Sequence, residues 1–226
     1  MGNAKARHND TVPEFGMQCF LLGYGLVVSL MDKPESLLIA AFAPELAGLD
    51  GVSPKGWSIA TTGVGAIAAA VAVARALEEM RPQRVLFIGT CGAYGKGLGI
   101  GDCIAASEVI AASVSEIQCR AFGPALETTQ WHPTWELNLP KAKVAATPAI
   151  TSNTEDAALL AQVADVEHLE LSGVFAACHI ARVPVAAALA VSNRAGFDAH
   201  AEWLDNHEQV CRRLVAILVE MGIILR

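Results

Sequence analysis

The 226-residue chain has no basic stripe: 16 Lys and Arg stand against 23 Asp and Glu, for a net charge of −7. That balance argues against nucleic acid as a partner. None of its cysteines (19, 91, 103, 119, 178 and 211) forms a CxxC pair, and no His/Cys cluster has zinc spacing. No metal or other cofactor is implied, and scattered thiols suit a reducing, cytoplasmic compartment. The GxxxxGK[ST] pattern is missing, which excludes a P-loop. The apolar run 17–31, broken by Gly23 and Gly25, falls short of the ~20 residues a membrane span needs. A secretory signal is disfavoured, since Asp10 and Glu14 follow Lys5 and Arg7 and Asp32-Lys33-Pro34 closes the run. Residues 1–16 are expected to be mobile, and 17–31 to add one or two β-strands within 17–35 of a single domain over 17–226. No internal repeat or low-complexity linker is visible.

What the chain does have is apolar residues, 53% of the total against 17% charged, enough for a sizeable core. The most telling segment is Val85-Leu-Phe-Ile-Gly-Thr-Cys-Gly-Ala93. An apolar strand runs into small residues at 89–92, expected to form a bare turn against which a ligand can lie. Cys91 reads as a space-filler there, since no base partner can be assigned to it as a nucleophile. Strands are expected at 37–42, 57–61, 85–89, 102–108, 143–150 and 185–192. Helices are expected at 66–80, stopped by Pro82, and at 155–164, 173–181 and 201–224. Continuous apolar strands alternating with helices predict an α/β fold, a three-layer, mostly parallel mixed sheet with helices on both faces. Thr62-Gly-Val-Gly65 gives only a partial dinucleotide fingerprint, with Ala68 in place of the third glycine and no acidic residue closing the next strand.

Four segments together resemble the nucleoside phosphorylase and nucleosidase superfamily, in the arm with uridine phosphorylase and methylthioadenosine/S-adenosylhomocysteine nucleosidase. They are Ile39-Ala-Ala-Phe-Ala-Pro-Glu45, Thr62-Gly-Val-Gly65 with its Ala-rich helix, Ile88-Gly-Thr-Cys-Gly-Ala93 with Gly101-Asp102, and Leu169-Glu170 followed by Val183-Pro184 and Val191-Ser192-Asn193. The resemblance covers roughly residues 36–224 and implies the nucleoside phosphorylase-like fold, a small nucleoside or nucleobase ligand, and a homo-oligomer in which a neighbouring chain commonly completes the pocket.

Cleaving an N-glycosidic bond builds positive charge on the ribose and negative charge on the base, so a site must hold both and deliver a nucleophile. By resemblance, Glu170 grips the ribose hydroxyls; its alternative is a carboxylate at a helix start. Leu169 takes the place of the methionine beneath the sugar, and His168 stands near a position often acidic. Glu45 matches the glutamate that orients the attacking water, or is simply an N-terminal carboxylate of a short helix. Asn193 matches the residue that handles the base, where adenine-specific members carry Asp; an Asn donates hydrogen bonds but cannot protonate N7, which suits a 6-oxopurine. Ser192 helps fix that side chain, Trp203 caps the base or packs the last helix, and Thr90, Cys91 and Gly92 line the turn. Thr151-Ser-Asn-Thr154, with Ser152 and Asn153, contacts the base or caps a helix.

Phe87 replaces the arginine of the uridine-type phosphorylases, and Arg194 is the one nearby cation, so water is favoured over phosphate as nucleophile. The segment Ser192-Asn-Arg-Ala-Gly196 with Glu202-Trp203 most resembles the futalosine hydrolase subgroup, whose members free hypoxanthine from a menaquinone precursor. Residues 112–140, with Trp131, His132, Pro133 and Trp135, have no match and are expected to shape the 5′ side of the pocket or a partner surface. Three functions stay open: a purine nucleoside hydrolase, a phosphorylase using Arg194, and an inactive nucleoside-binding protein.

Overall fold

The computed structural model describes residues 36–49, 51, 53–95, 97–123 and 128–225; the expectations for 1–16 and 17–31 fall outside them. Eight strands form one mixed sheet: β1 (Ser36–Ala40), β2 (Trp57–Thr61), β3 (Arg84–Ala93), β4 (Cys103–Ala111), β5 (Gln130–Trp131), β6 (Lys141–Ala146), β7 (Val166–His168) and β8 (Val185–Arg194). Five helices accompany them: α1 (Ala66–Met80), α2 (Val114–Ile117), α3 (Thr154–Leu160), α4 (Leu171–Ala181) and α5 (Ala199–Glu220). β2, β1, β3 and β8 run parallel side by side. β8 then pairs antiparallel with β4, β4 parallel with β6, β6 parallel with β7, and β7 antiparallel with β3. β3, β8, β4, β6 and β7 therefore close into a circuit, a barrel-like curl of the sheet that the sequence pattern did not announce.

Both faces of the sheet are apolar, as a covered parallel sheet requires. Along β3, Val85, Phe87 and Cys91 face one core, with Ala69, Val73, Leu77, Val174 and Phe175 of α1 and α4. Leu86 and Ile88 face the other, with Val210, Leu214, Val215 and Leu218 of α5. β8 presents Ala186, Ala188 and Ala190 toward α5, and these small side chains let a long helix lie close against the strand. α1 and α4 are closer still. A Cβ on Gly173 would sit 1.9 Å from the Ala66 carbonyl oxygen, so only glycine fits at this crossing.

Residues 89–92 are not a turn. They continue β3 in extended form to Ala93, because β8 keeps pairing with them. Their smallness serves neighbouring side chains: a Cβ on Gly89 would come 3.0 Å from Glu45 Oε1. The register slips at one point, where Cys91 pairs with Val191 but Gly92 with Asn193. That bulge at Ser192 breaks the in–out alternation of β8.

The unmatched segment also resolves in part. Trp131 pairs with Val109 through β5, Thr134 accepts the Val185 N–H at 2.8 Å, and the Trp135 indole N–H donates to the Val85 carbonyl at 3.2 Å. Val85 and Val185 lie at the starts of their strands, so residues 131–135 cover the end of the sheet remote from 90–92 and 192–193, roughly 20 Å away at ~3.3 Å per residue. For 131–135 that leaves the partner surface of the two expected roles; Ala112–Ser115, of the same segment, line a recess that adjoins the cavity at Ile150.

Candidate active site

At the other end of the sheet, β3, β7 and β8, the start of α5 and the 3-10 turn Ala43–Leu46 enclose a cavity of about 280 Å³. Glu45, Thr90, Cys91, Gly92, His168, Leu169, Glu170, Ser192, Asn193 and Trp203 all line it. Three side chains distant in sequence, at 45, 170 and 193, thus meet in one hollow.

Glu45 is carried by the 3-10 turn after β1, with Pro44 setting its first residues. Only 3% exposed, its carboxylate folds back onto β1 and β3. Oε2 accepts the Ala41 N–H at 3.0 Å, and Oε1 accepts both the Thr90 N–H and the Thr90 hydroxyl at 2.9 Å. Burial pushes its pKa up to about 7; the Thr90 and Ala41 bonds oppose that rise and the nearby Glu170 charge adds to it. A carboxyl poised there exchanges protons near neutral pH, the property a general base needs.

Glu170 precedes α4 and points at the start of α1, where its Oε1 accepts the Gly65 N–H at 2.7 Å. Gly65, at φ 92°, adopts a backbone form that favours glycine, and the positive end of α1 faces the carboxylate. Gly65 therefore seats a glutamate, while the Gly63 N–H donates to the Ala41 carbonyl at 2.9 Å. His168 Nδ1 lies 3.1 Å from the Glu170 N–H and 3.2 Å from Glu170 Oε2. Burial lowers the His168 pKa, against the pull of Glu170. The imidazole ring meets Phe87 edge-on at 5.0 Å, so the side chain that stands in the arginine position packs in the core behind His168.

The β8 bulge turns Ser192 and Asn193 into the cavity together. The Ser192 hydroxyl donates to Asn193 Oδ1 at 2.8 Å and Asn193 Nδ2 donates to the Arg194 carbonyl at 3.3 Å, which leaves the second amide hydrogen for a ligand. Trp203, half-buried, donates its indole N–H to Thr90 Oγ1 at 3.2 Å and stands in a row with Phe42, His200 and His207. Cys91 is buried, and burial raises its thiol pKa so that it stays protonated, as a filler does.

Three expected residues lie elsewhere. Ser152 and Asn153 are exposed and border an adjoining recess; Asn153 Oδ1 accepts the Asp156 N–H at 2.7 Å, capping α3. Only Ile150 of that loop reaches both hollows. Arg194 extends outward onto Glu202, with its backbone N–H 2.7 Å and its Nε 3.1 Å from that carboxylate. Sequence reasoning missed Glu167, which lines the cavity from β7 at 3% exposure. A glutamate between Val166 and His168 in an apolar stretch was the signal, hidden because β7 is only three residues long. Among the described residues no Lys or Arg lines the cavity, and no His/Cys/Asp/Glu group is arranged to hold a metal ion.

A model of the phosphorylase superfamily matches residues 54–167, just over half of the chain. A 5′-methylthioadenosine/S-adenosylhomocysteine nucleosidase of Shewanella sediminis is 28% identical over 150 residues, covering 65% of this chain and 58% of its own length. The chain thus spans less than two thirds of that curated relative. Among solved structures, native futalosine hydrolase of Helicobacter pylori superposes with a TM-score of 0.71 at 17% identity, over 83% of this chain and 98% of that one. The Helicobacter pylori methylthioadenosine/S-adenosylhomocysteine nucleosidase with butyl-thio-DADMe-Immucillin-A also gives 0.71 at 17% identity, over 82% and 97%.

Proposed function

The chain belongs to the phosphorylase superfamily, and from that premise we propose that it hydrolyses the N-glycosidic bond of a purine nucleoside. The observation that carries this reading is a cavity with Glu45, Glu170 and Asn193 converging and no cation among its lining residues. Glu170, anchored through Oε1 to Gly65 and with Oε2 3.2 Å from His168 Nδ1, presents its carboxylate to the ribose hydroxyls and stabilises the cationic sugar. Glu45, with its pKa near 7, takes a proton from the attacking water. Asn193 donates to the base edge, and Trp203 with Phe42 provides an aromatic wall.

A phosphate dianion would need several cationic or N–H donors. The cavity offers three carboxylates instead, and Arg194 is committed to Glu202 outside it. This supports water as the nucleophile. The amide at 193 supports a 6-oxopurine nucleoside, with a 5′-modified substrate of the futalosine type as the specific form.

Assembly with a second copy is supported by an apolar patch along α1 and α4 that reaches the cavity at Val64. Val64 is 63% exposed, Ile67 84%, Val71 59% and Ile180 83%; Val64 also lines the cavity. A second copy covering this patch would close the pocket. Cys91, Cys103, Cys178 and Cys211 are buried free thiols, which supports a cytoplasmic setting.

The test is base release from inosine, adenosine, uridine and 5′-substituted purine nucleosides in phosphate-free buffer. Release of hypoxanthine or adenine without phosphate is expected. Release only on adding phosphate would reverse the assignment of the nucleophile, and binding without turnover would leave a nucleoside-binding protein.

A further inference from the structure

Glu167 shares the cavity with Glu45 and Glu170, and the hydrolysis outlined above leaves it unused. It lies opposite Gly92 where β7 pairs with β3. A Cβ on Gly92 would sit 3.1 Å from Glu167 Oε1 and 2.9 Å from Asn193 Nδ2. The two polar groups therefore flank one bare stretch of backbone, close enough for a single base edge to meet both.

Asn193 has no proton to release, because an amide donates a hydrogen bond without ionising. A departing base takes the electron pair of the glycosidic bond and leaves far more readily when protonated in the same step. The Glu167 carboxyl is built to be steady. Oε2 accepts from Tyr94 Oη at 3.1 Å and from the Thr151 hydroxyl, and the Thr151 N–H donates to Oε1 at 3.1 Å. Burial raises its pKa above the usual carboxylate value, against the bonds from Thr151 and Tyr94, which lower it.

Resting on the hydrolytic reading, we propose that Glu167 is a catalytic residue, the general acid toward the leaving base. As the C1′–N bond breaks and its electron pair enters the base, the Glu167 carboxyl proton moves to a ring nitrogen. Water adds to C1′ and gives its proton to Glu45. Glu167 ends as a carboxylate and Glu45 as the acid, and exchange with solvent restores both. Asn193 positions the base for that transfer.

The experiment compares a purine nucleoside, whose base needs a proton to leave, with p-nitrophenyl riboside, whose leaving group does not. Glu167→Gln keeps an acceptor for Thr151 and Tyr94 but has no proton to transfer. It should lower kcat/KM for the purine nucleoside by roughly 10²–10⁴-fold and for the riboside by no more than a few-fold. Should Glu167→Gln fail to fold, Glu167→Asp, which keeps an acid but withdraws it, should show the same split in milder form. Equal losses on both substrates, or none on the nucleoside, would overturn the role of Glu167 while leaving hydrolysis in place. A wild-type chain that cleaves neither substrate would overturn the hydrolytic reading and this proposal with it.

Discussion

A carboxyl buried beside backbone N–H groups sets the pH behaviour of the site. Glu45 must be ionised to accept a proton from water, and its pKa stands near 7. Loss of the Glu45 proton near pH 7 should therefore raise activity, and loss of the Glu167 proton should lower it; Glu45→Gln should remove the first limb with a loss in kcat of about 10²–10⁴-fold, read from pH–rate profiles. The same group acts on stability in the opposite sense. With a folded pKa above the unfolded value of 4.5, the native state holds the proton over a range where the unfolded state has lost it. Its stabilisation is full below about pH 4.5 and is lost as pH rises through about 7, by on the order of 3 kcal/mol at most. Denaturant unfolding at pH 5 and pH 8 should show this loss, flattened in Glu45→Gln. At this scale the sequence was legible where a glutamate or asparagine sits at the exit of an apolar strand, as at 45 and 193. It was silent on Glu167, whose partners Tyr94 and Thr151 are distant in sequence, and ambiguous on Asn153, since capping and base contact call for the same side chain.

Elements transmit tolerance or strain to those side chains. Gly173 lets α4 cross α1 in direct backbone contact, and α1 begins at Gly65, whose N–H holds Glu170. Gly173→Ala must push the helices apart and carry that N–H away. A stability loss of about 1–3 kcal/mol is expected from overpacking, visible as a Tm lower by several degrees, together with a raised KM if Glu170 holds the ribose. The helix α1 was readable from its alanines, Gly65 and Pro82, and β1, β2 and β8 from their apolar runs. β7 was not, because three residues carry too little periodicity, and its pairing with Gly92 is a tertiary fact. The extension of β3 through 89–92 escaped for a related reason. Small residues mark a turn or a crowded strand alike, and only Glu45, Glu167 and Asn193 pressing on Gly89 and Gly92 decide between them.

At the scale of the described residues, one end of the sheet is covered by residues 131–135 and the other holds the cavity. Arg84, stacked 5.2 Å from the Trp57 ring and 4.9 Å from that of Trp135, helps seal the first, and the closed strand circuit shapes the second. Alternating strands and helices foretold the layers but not the closure, since antiparallel pairing of β4 with β8 leaves no mark in local composition. The exposed apolar patch at Val64, Ile67, Val71 and Ile180 is expected to bury itself against a second copy. Analytical ultracentrifugation should find a dimer or larger assembly, and Ile67→Glu, placing a charge on that patch, should shift it toward monomer. The most direct test of the whole account is a crystal of the protein grown with hypoxanthine, adenine and ribose. A purine ordered between Asn193 and Trp203, with ribose against Glu170 and a water beside Glu45, is the predicted result. A purine bound anywhere else, with that cavity left to solvent, would contradict it.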